Sequence, residues 1–451
     1  MTQQAGPFAH VPTVQGADAP LYLIPFDKKG RCEGPKTLAH MLAAADSGAF
    51  TDVHVFSHGW NNVFEDAVGL YREFFDEYFA LRSAQGISNA GYSPLLVGII
   101  WPSTALVSEN EQTPAFAATL PRDQDAAFAR GQRAVREIAS EIADADVERF
   151  YELANLDRPL THEEALDLAR ILLPILGRDD RSGEEIPQDV TIEKIVKAWE
   201  KTSLARPAVA AGGAGVIGGA GSLPEEEEIP LAAAPAAAGI LDFLNPREII
   251  RNATVFQMKD RAGTVGAFGV GPMLKQLLAI DGPRIHIMGH SFGAKVVLSA
   301  LTVPSHPRTV ESVLLLQPAI NHLCFAENVD GRQGGYRPAL DRTNRPILST
   351  FSSMDGPLGS FFHLAVRRDG DLAEQKIAAA PSKFAALGGF GPGGLAPGEG
   401  NTIEIPEPPD PYPAVAAGVK VRALDGSSHR ITSHGDVRNR FTEWALVSLT
   451  Q

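Results

Sequence analysis

The stretch RIHIMGHSFGAKVVLSA, Arg284 to Ala300, constrains the chain more than any other. Arg284 to Met288 is a short, largely apolar run with β-branched residues, the pattern of a strand. Gly289-His290-Ser291-Phe292-Gly293 follows, and Ala294 to Ala300 reads as a helix. A strand, a G-x-S-x-G and a helix in direct succession are the sequence form of a nucleophile elbow. A serine on so sharp a turn takes a strained backbone. Gly289 and Gly293 lack Cβ atoms and let strand and helix close around it. Its Oγ then projects above the carboxyl edge of a parallel sheet, and the new helix turns free N–H groups toward the reacting oxygen. A glycine-rich turn without chemistry is the bland alternative; the flanking elements favour the nucleophile.

The segments around the elbow extend the same pattern. Leu21 to Phe26, Val53 to Phe56, Leu95 to Trp101, Val310 to Leu316, Ile347 to Phe351 and Val419 to Leu424 read as further strands. Leu95 to Trp101 (LLVGIIW) is apolar throughout, as expected of a strand buried on both faces. Helical spacing occupies Pro35 to Ala45, Val63 to Arg82, Pro246 to Leu278 and Val437 to Leu449. Strands alternating with helices imply an α/β fold, a mostly parallel sheet with helices on both faces. Residues 380–413, rich in Gly and Pro, read as a surface excursion.

The alternation breaks after Trp101. Phe128 to Leu156, Thr161 to Gly177 and Val190 to Leu204 are helical in pattern with no strands between them, and Thr161 with Glu164 forms a capping box. Residues 20–103 and 246–451 therefore form the expected core, and 104–245 a helical insertion. Within it, residues 206–240 are low-complexity Ala, Gly and Pro with few bulky groups to bury, and read as a flexible segment. The uncharged run Pro207 to Leu223 is too glycine-rich for a good helix and short for a span, so a mobile loop is preferred over membrane contact.

A net charge of −14 argues against nucleic acid as a partner. Two cysteines, Cys32 and Cys324, are too few for a disulfide framework or a cysteine-based metal site. Met1 to Thr13 lacks the basic and apolar regions of a secretory signal, so a cytoplasmic enzyme is the expectation.

A serine hydroxyl needs an imidazole to take its proton and a carboxylate to orient that imidazole. With an elbow serine the acid and then the histidine follow along the chain. Of His306, His322, His363, His429 and His434, only the last two follow the final strand. His434 lies in a polar loop just before the terminal helix and is the preferred base, with His429 behind it; the bland reading makes Asp436 a helix cap beside a packed histidine. Asp355, just past the strand ending at Phe351, is the preferred acid, with Asp330 as fallback. Two donors must face the oxyanion: the N–H of Phe292, and that of Trp60, which Gly59 would let turn inward from the loop His58-Gly59-Trp60. Asn61 or Asn62 would support this loop or meet substrate, as would His58 and His290. No metal or organic cofactor is required. GTVGAFGVG, Gly263 to Gly271, follows a helix instead of a strand and reads as close helix packing, not a phosphate loop.

VFSHGW at 55–60, GIIWPS at 98–103, GHSFGAK at 289–295, SSMD at 352–355 and SHGD at 433–436 together resemble the α/β-hydrolase superfamily, in particular lipase/esterase-like serine hydrolases. The resemblance covers roughly 20–103 and 246–451. It implies an α/β-hydrolase fold, Ser291 as nucleophile, Asp355 as acid, His434 as base, and Trp60 with Phe292 as oxyanion donors; the insertion matches no named family and is expected to sit over the carboxyl edge as a lid. The implied substrate is a small-molecule or lipid ester; a lipase or phospholipase, an acyltransferase, and a non-catalytic binding protein on the same fold are the alternatives. The short run before His58 leaves little room for an antiparallel start to the sheet.

Overall fold

A computed structural model describes residues 5–13, 18–60, 62–87, 91–103, 135–136, 138–156, 158–176, 191–193, 195–196, 246–356, 358, 381 and 385–451. Its centre is one nine-stranded sheet. The strands are β1 (Ala9–Val11), β2 (Ala19–Pro25), β3 (Asp52–Ser57), β4 (Pro94–Ile100), β5 (Arg284–His290), β6 (Ser312–Leu316), β7 (Ile347–Phe351), β8 (Gly400–Glu404) and β9 (Val421–Asp425). Their order is β1-β2-β4-β3-β5-β6-β7-β9-β8. Only β1 on β2 is antiparallel; every other neighbouring pair is parallel.

Side chains alternate across this sheet and feed two cores. Val53, Val55, Ile285, Ile287, Val313 and Leu315 face one side. There they meet α1 (Pro35–Ala45), α5 (Pro246–Val265), α6 (Gly271–Leu278) and α7 (Phe292–Thr302). Phe56, Met288, Leu314, Leu316 and Leu424 face the other, under α2 (Phe64–Ala84) and α8 (Arg440–Thr450). The chain leaves β3 through α2 on one face and enters β5 from α5 and α6 on the opposite face. Connections thus diverge between adjacent β3 and β5, the kind of switch point at whose carboxyl ends α/β sheets bind ligands.

Two strands escaped the sequence reading. β1 is three residues long, and it supplies an antiparallel start from upstream of β2, where none was expected. β8 lies inside the expected surface excursion. Its sequence GNTIE offers one large apolar residue, so no period-two signal exists; it holds the edge by pairing with β9.

A third apolar cluster joins α3 (Val147–Ala154), α4 (His162–Leu176) and the start of α5 through Phe150, Leu168, Leu172, Ile249 and Ile250. α5 is shared, because further along it Met258, Ala262 and Val265 enter the sheet core. The capping box is formed: Glu164 N–H donates to Thr161 Oγ1 (3.2 Å), and Thr161 N–H donates to Glu164 Oε2 (2.8 Å). The helix expected over 128–156 is broken between Ser140 and the 3-10 turn Asp144–Asp146, where aspartates compete for backbone hydrogen bonds. Residues 128–134, the segment 206–240 and most of 190–204 lie outside the described residues. Among those described, no helix is long and apolar enough to cross a membrane.

Between α5 and α6, Gly266–Val270 forms one π turn. A Cβ on Gly266 would meet the carbonyl of Val296 in α7, so this glycine is the close helix contact expected of GTVGAFGVG.

Candidate active site

β5 ends at His290 and α7 begins at Phe292. Ser291 alone makes the turn, with φ 54° and ψ −125°. A non-glycine residue there costs about 1–3 kcal/mol and persists only when its surroundings over-determine it. Here they do. Ser291 N–H donates to Leu316 O (3.1 Å), and its carbonyl accepts from Ala294 (3.1 Å) and Ala319 (3.2 Å). Any Cβ on Gly289 would strike Gly293, and one on Gly293 would strike the backbone of Ser57 and His58.

Ser291, His434 and Asp355 lie in one hydrogen-bonded chain. His434 Nε2 is 2.9 Å from Ser291 Oγ, and His434 Nδ1 is 2.8 Å from Asp355 Oδ2. A carboxylate can only accept, so Nδ1 carries the proton and Nε2 offers its lone pair to the serine hydroxyl. Asp355 is fully buried just past β7, and its Oδ1 accepts from Leu358 N–H (3.0 Å).

The His434 loop is clasped from three sides. Asp436 Oδ2 accepts from the Thr432 N–H (2.8 Å) and hydroxyl (2.9 Å). Gln317 Nε2 donates to Asp436 O (3.0 Å), and His290 Nε2–H donates to the His434 carbonyl (2.9 Å). Burial first, and the neighbouring His434 second, push His290 down to about 3, so its ring is neutral with a single N–H, spent on this bond. The cap of α8 is Asn439, whose side chain accepts from Phe441 and Thr442; Asp436 does not fill that place.

The loop after β3 runs against the serine. A Cβ on Gly59 would sit 2.7 Å from Ser291 Cβ, so glycine is required by proximity and not by a left-handed φ. The N–H groups of Trp60 and Phe292 are engaged by no other described residue. The Trp60 ring is half-buried with its centroid 6.2 Å from that of Phe292, and its indole Nε1 is shielded without a partner among the described residues. His58 is buried behind the loop. Its Nδ1–H donates to Gly59 O (2.9 Å), its Nε2 accepts from Trp101 N–H (3.3 Å), and its ring stacks on Trp101 at 5.4 Å. Burial lowers it to about 4, which keeps it neutral in this supporting role. Asn62 Nδ2 donates to Gly59 O (3.1 Å) and Trp60 O (3.2 Å). Asn61 lies outside the described residues.

Several supports went unseen in the sequence: Gln317, Ser103 and Tyr71. The Tyr71 hydroxyl accepts from His58 N–H (2.9 Å) and donates to Ile99 O (2.5 Å), tying the β3 loop to β4. Gly98, inside the apolar run of β4, was a legible signal for it: its missing side chain leaves room for the Tyr71 ring.

The fallback residues lie elsewhere. Asp330 and His429 are both at positive φ in exposed turns, without a hydrogen bond to the chain from Ser291. His306 Nε2–H donates to Ala300 O (2.9 Å), the His322 backbone bridges to Ala385 and Gly393, and His363 lies outside the described residues. Comparison of the chain with protein-family models, with curated proteins and with solved structures gives no match in any of the three.

Proposed function

We propose that this protein is a serine hydrolase of the α/β-hydrolase type that cleaves a carboxylic ester through an acyl-enzyme. The observation that carries the reading is the unbroken chain Ser291–His434–Asp355, which starts from a serine held in a strained turn at the sheet's carboxyl edge. Ser291 Oγ attacks the ester carbonyl as His434 Nε2 takes its proton, and Asp355 stabilises the imidazolium. The oxyanion accepts from the N–H groups of Phe292 and Trp60. Collapse of the intermediate expels the alcohol, which receives the proton from His434. Water, deprotonated by the same Nε2, then attacks the acyl-enzyme and releases the acid and free Ser291.

The helical insertion is the lid in this reading. Its described part is tied to the carboxyl ends of β2 and β4: Lys28 Nζ donates to Ser140 Oγ (3.0 Å), while Arg261 reaches Pro102 O (3.1 Å) and Glu141 Oε1 (3.2 Å). A lipid ester is the second reading. Val63 and Phe64 follow the oxyanion loop, Met354 precedes Asp355, and all three are exposed apolar side chains beside the site.

Labelling with a fluorophosphonate followed by intact-mass measurement tests the proposal. Wild type gains one phosphonyl group and Ser291→Ala gains none. Absence of labelling in wild type would leave a non-catalytic binding protein as the better account. Hydrolysis rates over short and long acyl esters, with and without an interface, separate the two substrate readings.

A further inference from the structure

A groove with an open mouth lies away from Ser291, between the loop after β2 and the kinked helix α5–α6. It encloses about 530 Å³, within the usual range for small-molecule sites. Phe26 and Met273 form its buried floor, and Phe268 and Leu38 its apolar walls. Phe268 stands 54% exposed on the wall of the groove, so its ring is open to a ligand. The π turn Gly266–Val270 presents it there, and such turns recur at functional sites. The groove is preformed: Gly30, at φ +80°, and Gly269 meet backbone to backbone at one end, with no room for a Cβ on either.

Its rim has one sign of charge. Lys29 and Arg31 line it, and no acidic residue does. Neither cation forms an ion pair with a described residue. Of the two carboxylates in their loop, Asp27 is turned inward, accepting from the N–H groups of Lys29 and Arg31 (both 2.8 Å), and Glu33 does not line the groove. In a chain with 54 acidic and 40 basic residues, two unpaired cations over an apolar slot are against the general balance. Apolar walls with a cationic rim match one ligand chemistry: an apolar chain ending in an anionic head.

We infer that this groove binds an amphiphilic carboxylate, chain down against Phe26, Phe268 and Met273 and head at Lys29 and Arg31. The inference does not depend on the hydrolase reading. It is tested by isothermal titration of the full chain carrying Ser291→Ala, with octanoate, 1-octanol and propionate as probes. Octanoate should bind at least about tenfold more tightly than either, since it alone satisfies both rim and walls. The pair Lys29→Glu/Arg31→Glu should remove that preference over 1-octanol, and Gln276→Trp, which fills the mouth from an exposed position, should abolish binding. All three substituted residues are exposed, so thermal melts should be unchanged. No octanoate binding, equal binding of 1-octanol, or octanoate binding that survives both variants overturns the inference; the last would put the ligand elsewhere, with position 291 the first place to look.

Discussion

Among the described residues, two Ser–His–Asp chains run through this molecule, at opposite edges of the same sheet. At the carboxyl edge, Ser291 follows β5 and bonds His434, which bonds Asp355. At the amino edge, Ser312 on β6 bonds His286 Nδ1 (2.8 Å) on β5, whose Nε2 bonds Asp52 Oδ1 (2.9 Å) on β3. Residue types and distances are the same; the surroundings are not. The amino-edge trio is at most 1% exposed, so no carbonyl reaches it. Ser312 sits in a regular strand without strain and without a turn of open N–H groups beside it. Asp52 is also held by Arg284 (2.8 Å) and Thr51 (2.7 Å), and His54 stacks on His286 at 4.8 Å. Burial would raise the Asp52 carboxyl, but the bonds from His286, Thr51 and Arg284 and the nearby imidazole of His54 outweigh it and hold it below the usual range. A serine-to-imidazole-to-carboxylate chain is therefore a way to satisfy buried polar groups. It becomes a candidate for catalysis where it ends at a strained serine, a partly exposed imidazole and unspent donors.

The largest expected effects divide the two chains. Ser291→Ala should lower ester hydrolysis by roughly 10⁴–10⁶-fold with no change in the melting temperature. Ser312→Ala should do the reverse: it leaves His286 Nδ1 unpaired, a loss of about 1–3 kcal/mol, with kcat unchanged. Chemical denaturation and initial rates on one ester read both. If Ser312→Ala abolished ester hydrolysis and Ser291→Ala did not, the comparison would be inverted.

The carboxylates come next. Asp355→Asn should cost about 10⁴-fold in kcat, because an amide presents its N–H to His434 and favours the wrong tautomer. Asp52→Ala should instead destabilise by about 3 kcal/mol, the low end for a broken buried pair, since Arg284 is partly solvated and can turn to water. Gly59→Ala is smaller again. Its methyl group would displace the oxyanion loop from Ser291, and a shift of about 1 Å costs roughly 10²-fold in kcat with little change in KM.

The two ends were unequally legible in the sequence. The elbow announces itself because Gly289, Ser291 and Gly293 are local and bracketed by a strand and a helix. Asp355 and His434 could be ranked because each follows a recognisable strand. The amino-edge chain left no trace, since Asp52, His286 and Ser312 are ordinary strand residues that meet only through register: Asp52 pairs with Arg284, and Ser312 with His286. Register over long separations is invisible before the sheet is assembled. β8 and β1 were missed for a different reason: β1 is too short at three residues to show a period, and β8 offers one large apolar residue.

The smallest expected effects concern acid, and they tie the two ends together. His54, at the amino edge, is lowered well below its ordinary value by burial first and by His286 second; His290, at the carboxyl edge, is pushed to about 3, again chiefly by burial. In the unfolded chain both titrate near about 6.5. Between that value and the folded ones the unfolded state binds protons that the fold refuses, so stability rises with pH there and is lost on acidification. By pH 5 the His290 imidazole should have withdrawn on the order of 2 kcal/mol, and His54 acts in the same direction. Urea midpoints followed from pH 7 to 4.5 should therefore fall, and His54→Gln and His290→Gln should each flatten the fall. They should differ in rate. His290→Gln disturbs the bond that seats the His434 carbonyl, so kcat drops several-fold at pH 7, whereas His54→Gln leaves it unchanged. Equal rates in the two variants would mean that His434 is seated without His290, and the carboxyl-edge chain would then owe its geometry to the Asp436 and Gln317 contacts alone.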